Sequence, residues 1–309
     1  MTELLMIFRG VVMGAAEIVP SIGGSTLALV MGIYDDFIEF LNQISDFIKG
    51  VFKFVLRRQT LKELKKDFKN IDLKFGVLSF LGIAVALALF SQIITRLLDE
   101  HAVYAYSFFF GLVAASTSVP WGEMKKHGFR ELLVTALTFI LFFLMLGIKP
   151  TVVENPSFIF LFISAAVAIS AIVLPGISIS FVFLLFGVYD FVITLLRDLL
   201  RFSVNFEKLV DVAAIGFGVL FGFLIFVKLI KKGLKKYPSE TMGLSVGLML
   251  ASLRVLWPFF NAENIEAKLL PWEVPTEQLS VSLFLIVLAV VAVFVLRRIS
   301  DSSNLKDLS

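Results

Sequence analysis

Hydroxyls and glycines set just after a proline, inside otherwise apolar sequence, are the residues of this chain best suited to chemistry. They occur twice: Pro20 is followed by Ser21, Gly23, Gly24, Ser25 and Thr26, and Pro175 by Gly176, Ser178 and Ser180. Proline cannot donate a backbone hydrogen bond and glycine weakens helix, so each run should end one helix and start another. The first amides of a new helix carry partial positive charge, and a Ser or Thr there caps them or binds a ligand. Two such starts meeting at one point would hold an anion without many full charges. Arg9 is the cation best placed to add one; its alternative is to snorkel to the headgroups. Glu17 lies three residues before Pro20, where it could pair with Arg9, carry a coupling proton or cap a turn. Arg254, near the end of a later apolar run, either meets an incoming anion or snorkels.

The elements that position these residues are copies of each other. Placing Pro20 on Pro175 aligns Ala16–Asp35 with Ala171–Asp190 without a gap, and eight of twenty positions are identical, among them Pro, Gly, Tyr and Asp. That is an internal repeat. The apolar run after the first turn, Ser25–Tyr34, would be only about 15 Å long as a helix, half a bilayer. Each copy therefore reads as a re-entrant hairpin with its tip near mid-membrane, where irregular backbone survives only against protein or a wet cavity. Asp35 and Asp190 read as solvated helix-end carboxylates, and the tyrosine beside each as an interface anchor.

A hydrophobic content of 58% with 34 Phe excludes an ordinary soluble domain. Full spans are expected near 75–98, 103–119, 132–148, 210–230, 241–257 and 279–296. Residues 37–56 read as an amphipathic helix along the interface, 57–69 as a basic linker and 261–278 as an acidic loop. Twenty of the 28 Lys and Arg fall in four segments, 49–74, 125–130, 228–236 and 297–306. Placing all four inside satisfies the bias of basic loops to the cytoplasm, with both termini cytoplasmic. Each segment flanks an apolar run, so a nucleic-acid surface is not expected. Three spans after each hairpin is an odd number, so the second half should sit inverted relative to the first. The fold expected is an all-α polytopic membrane protein in one membrane domain. It holds two inverted-topology repeats, 1–150 and 151–309, each a re-entrant hairpin plus three transmembrane helices. No cofactor or metal site is expected: there is no Cys and no cluster of residues with metal-ligand spacing.

RGVVMGAAEIVPSIGGSTLALVMGIYD and IVLPGISISFVFLLFGVYD resemble the paired signatures of the bacterial polyprenyl-phosphate transporter family of the PopT type. FFFGLVAAS and VGLMLASLRVLWP are similar to that family's Gly-Leu…Ser segments. Ser21, Gly23 and Ser25 depart from the family's first turn. The resemblance implies a non-enzymatic carrier returning undecaprenyl phosphate from the outer to the inner leaflet of the cytoplasmic membrane, with a proton or sodium ion as possible coupling partner. Two other functions fit the same scaffold: an intramembrane lipid-pyrophosphate phosphatase and a small-solute or ion permease. The phosphatase would need acid–base residues at the tips.

Overall fold

The computed structural model describes residues 3–19, 22–148, 151–203, 205–261 and 264–306. Helices account for nearly all of its regular structure. Helix α1 (Glu3–Glu17) stops short of Pro20, and α2 (Gly24–Val30) begins at the second of two glycines. After a turn at Gly32, α3 (Tyr34–Val55) runs on as a strongly amphipathic helix. The stretch expected as a basic linker instead holds α4 (Leu61–Lys69). Thr60 accepts from the Glu63 amide while Glu63 accepts from the Thr60 amide at 2.7 Å, a reciprocal cap that also holds the Glu63 carboxyl below its usual range.

Helices α5 (Leu73–Glu100), α6 (Ala102–Ser116), α7 (Ser118–Glu123) and α8 (Phe129–Met145) complete the first half. The second half opens with α9 (Phe158–Ala168), a 3-10 turn at Ile169–Ile172, α10 (Ile179–Leu185) and α11 (Tyr189–Leu200). It continues with α12 (Phe206–Lys236), α13 (Pro238–Ser252) and α14 (Thr276–Lys306). The expected acidic loop contains a two-stranded antiparallel ribbon, β1 (Phe260–Asn261) and β2 (Asn264–Lys268), and a 3-10 turn at Pro271–Glu273.

Four of these helical segments are long and apolar enough to cross a membrane: α5, α6 with α7, α12 and α14 as far as Ser300. Two expected spans come out short. Helix α8 has 17 residues and α13 has 15, because Pro238 bounds α13 at one end and the turn after Ser252 at the other. At 1.5 Å per residue α13 reaches about 22 Å, less than a hydrocarbon core.

The packing repeats as the sequence does. Helix α1 lies on α5 and α9 on α12; α6 lies on α14 and α13 on α8. Glycines sit at each of these contacts. A side chain at Gly10 or Gly82 would strike the backbone of the partner helix, and the same holds at Gly218 and Gly222 against α9 and at Gly111 against Ile286. A side chain at Gly247 would likewise strike the Thr135 carbonyl, and one at Gly243 the Thr135 hydroxyl. Small residues let backbones close to van der Waals contact where no hydrophobic force separates helix from lipid. Elements in the two hairpins also correspond at the same offset of 155 residues. Helix α2 matches α10, Gly32 (φ +63°) matches Gly187 (φ +68°), and Tyr34 and Tyr189 open α3 and α11.

Candidate functional site

The two turns end their helices differently. Gly23 precedes α2 in extended backbone and has no side chain with which to cap it. Glu17 fills that role from seven residues back, its Oε1 accepting from the Gly24 amide at 2.6 Å. A carboxylate on the first amide of a helix makes a charge-assisted bond and faces the positive end of the helix dipole. In the second turn Gly176 takes φ +88°, a conformation open to glycine, and a side chain there would strike Met249. Ser178 then caps α10 locally, accepting from the Phe181 amide at 3.3 Å, with the Ser180 hydroxyl 3.2 Å from its own.

The turns dock on one another. Between α9 and α10 the chain is unwound, and its carbonyls and amides need partners in the buried interior. The first hairpin supplies them. Ser25 donates to the Leu174 carbonyl at 3.2 Å and lies 3.5 Å from that of Ala171, while Thr26 Oγ1 accepts from the Gly176 amide at 2.8 Å. Tyr34 donates its phenolic hydrogen to the Val173 carbonyl at 2.6 Å. Gly23 sits so close to the Ile177 carbonyl that a Cβ would come within 2.7 Å of it. Ser25, Thr26, Gly176 and Ser178 are buried; Ser180 is half-buried and Glu17 exposed, so the junction reaches the surface at those two residues.

Most of the candidate residues are thus gathered at one junction: Glu17, Gly23, Gly24, Ser25 and Thr26 from one turn, Gly176, Ser178 and Ser180 from the other. Pro20 and Ser21 lie outside the described residues. The arginines are elsewhere. Arg9 neither snorkels nor stands at the tip. It is 2% exposed at the base of the hairpin, its Nη2 donating to Ser300 at 3.2 Å, and Ser300 in turn donates to the Met31 carbonyl at the far end of α2. Arg254 donates to the Phe143 carbonyl at 3.0 Å with its guanidinium 4.5 Å from the Phe143 ring centre, gripping the end of α8. Tyr34 corrects a different expectation: it is buried and bonded across the junction, not an interface anchor. Its duplication in the repeat was the available signal. Asp35 and Asp190 do stand exposed in the first turns of α3 and α11.

A helical membrane protein whose two short hairpins meet turn to turn, each followed by long helices packed in matched pairs, has the form of a carrier rather than a receptor or an anchor. The chain belongs to the undecaprenyl phosphate translocase-like family, whose model matches residues 13–270. It is 31% identical over 263 residues to a polyprenyl-phosphate transporter of Vibrio cholerae serotype O1, covering 84% of this chain and 79% of that protein. It is 28% identical over 265 residues to a polyprenyl-phosphate transporter of Staphylococcus aureus, covering 82% of this chain and 85% of the relative. No solved structure matches it.

Proposed function

We propose that this protein carries polyprenyl phosphate across the bacterial cytoplasmic membrane, from the outer to the inner leaflet. The observation that carries the reading is that relatives matched over about four-fifths of the chain are named transporters of that lipid. A charged phosphate head and a long apolar tail pose separate problems, and the two-hairpin junction is suited to the first. The phosphate would lie on the open side of the junction, against the Gly24 amide and the hydroxyls of Ser178 and Ser180. Glu17 now occupies that amide. An arriving phosphate competes with the carboxylate for the same donor, and two anions repel in a place of low dielectric. Glu17 must then swing away or take up a proton, which gives the cycle a natural point of coupling; sodium is the other candidate. Arg9 and Arg254 serve on this reading as braces at the ends of α14 and α8.

The architecture proposed with it is one membrane domain of two inverted units, 1–150 and 151–309, with re-entrant hairpins α1–α2 and α9–α10. Six crossings follow, α5, α6–α7, α8, α12, α13 and α14, with both termini in the cytoplasm. The matched packing of α1 on α5 with α9 on α12, and of α6 on α14 with α13 on α8, supports a pseudo-two-fold relation. The distribution of Lys and Arg supports the orientation.

The test is reconstitution. Purified protein in liposomes should speed the exchange of polyprenyl phosphate between leaflets and release no inorganic phosphate from the lipid pyrophosphate. Phosphate release would return the enzymatic reading; exchange no faster than in empty liposomes would refute transport.

A further inference from the structure

Away from the hairpin junction, α3, α4 and α12 enclose a polar basin of about 900 Å³. Six basic side chains line it, Lys49, Lys53, Arg58, Lys66, Lys228 and Lys231, against four carboxylates. Two of the bases are already engaged: Lys228 with Asp46 at 3.0 Å and Lys231 with Glu39 at 2.7 Å. Asp67 accepts from Gln59, and Glu63 is bound to Thr60. Among the described residues, Lys49, Lys53, Arg58 and Lys66 thus have no carboxylate within ion-pair distance, and the six bases against four carboxylates leave the basin a positive excess.

The basin adjoins an apolar groove of about 430 Å³ between α3, α9 and α12, whose walls include Phe52, Phe158, Phe217 and Phe221. The two share an edge. Lys49 in the basin points its ammonium at the carbonyl of Leu224, 3.4 Å away, and Leu224 lines the groove. On α3, Lys49, Phe52 and Lys53 fall on one helix face; on α12, Phe217, Phe221, Leu224, Lys228 and Lys231 follow one another at helical spacing. On α12 the stripe passes from aromatic to basic, and on α3 Phe52 stands between Lys49 and Lys53, so both helices carry aromatic and basic residues together along the shared edge. Phe52, Phe217 and Phe221 are each about half exposed.

We propose that this paired basin and groove bind one anionic membrane lipid, its phosphate among Lys49, Lys53 and Lys228 and an acyl chain along Phe52 and Phe221. Basic pockets between helices at a membrane surface bind lipid headgroups by this combination of charge and apolar contact. Burial and the adjacent Lys228 ammonium push Lys49 down to about 8, a penalty that a phosphate lying between the two ammoniums relieves. The site is separate from the hairpin junction and does not depend on what the junction carries. It requires only that the chain sit in a bilayer.

Native mass spectrometry of the full chain released from mixed phosphatidylglycerol and phosphatidylcholine membranes tests it. The protein should retain phosphatidylglycerol about tenfold or more over phosphatidylcholine, since each nearby base contributes severalfold to the attraction. Lys49→Gln with Lys228→Gln should abolish that preference. Because Lys228 is ion-paired, a second variant, Lys53→Gln with Phe221→Ala, leaves both ion pairs intact and should also reduce it. Melting curves confirm that each variant is folded. Equal retention of the two lipids by the natural chain overturns the proposal, as does an undiminished preference in a folded variant. Excess inorganic phosphate that binds the lipid-free protein and shields Lys49 from amine labelling, while phosphatidylglycerol does not, also overturns it in favour of a soluble anion.

Discussion

The first hairpin gives and the second receives. Three side chains of the first, Ser25, Thr26 and Tyr34, satisfy backbone groups of the second. Their counterparts at the same offset do not return the favour among the described residues. Ser180 turns to its neighbour Ser178, Phe181 has no hydroxyl, and the Tyr189 hydroxyl makes no hydrogen bond to a described residue. The turns also differ in charge: the first is capped by a carboxylate from seven residues back, the second by a local serine. A duplicated element has thus split into a clamp and a receptor for it. At the turns themselves, among the described residues, only the first holds a carboxylate, and this is the ground for proposing Glu17 as the coupling group.

The comparison breaks most severely at the receptor. Gly176→Ala should cost about 2–4 kcal/mol, combining left-handed backbone strain with a forced shift of Met249. Gly216→Ala in α12, with nothing within 4 Å of the added carbon, should be neutral or mildly stabilising. Thermal melts in detergent measure both. Equal effects would mean that the second turn is not held in the conformation described.

The two caps should separate next. Glu17→Ala removes a charged acceptor from the Gly24 amide and should lower stability by about 1–2 kcal/mol, while Glu17→Gln, which still accepts, should recover most of it. Ser178→Ala should cost about 1 kcal/mol and Ser178→Gly a few tenths. Transport should then sort the variants differently from stability. Glu17→Gln, stable but unable to take up a proton, should lose dependence on a pH gradient; retained dependence would move the coupling group elsewhere.

The smallest expected effect is also the most selective. Tyr34→Phe should cost about 0.5–1.5 kcal/mol through the lost bond to Val173. The matching Tyr189→Phe should stay within about 0.5 kcal/mol. Equal losses would contradict the asymmetry between clamp and receptor.

Much of this was legible in the residues. The proline-centred repeat located both turns, and the apolar runs located the long helices, although α12 and α14 run on into the basic segments past the expected ends at 230 and 296. What escaped depends on partners distant in sequence. Nothing near Arg9 announces Ser300, so a buried brace looked like a phosphate ligand or a snorkelling anchor. Ser25 and Thr26 were seen as hydroxyls at a helix start, yet their partners are carbonyls and an amide nearly 150 residues away. Other features were present in the sequence and went unread. Thr60 and Glu63 spell a capping box. Gly10 with Gly14, Gly218 with Gly222 and Gly243 with Gly247 carry the four-residue spacing of closely packed membrane helices. The shortness of α13 followed from its boundaries, Pro238 and the turn before Pro258, more than from its hydropathy.

The central claim is that each hairpin turns back inside the membrane and that the two meet there. The chain has no cysteine of its own, so single cysteines report cleanly. Placed at Asn155, before α9, and at Asn205, before α12, both should react with an impermeant thiol reagent added outside intact cells, while Lys126→Cys and Lys235→Cys react only after the membrane is opened. Labelling of Asn155→Cys and Asn205→Cys from opposite sides would mean that the second hairpin crosses the bilayer completely, and the account would fail.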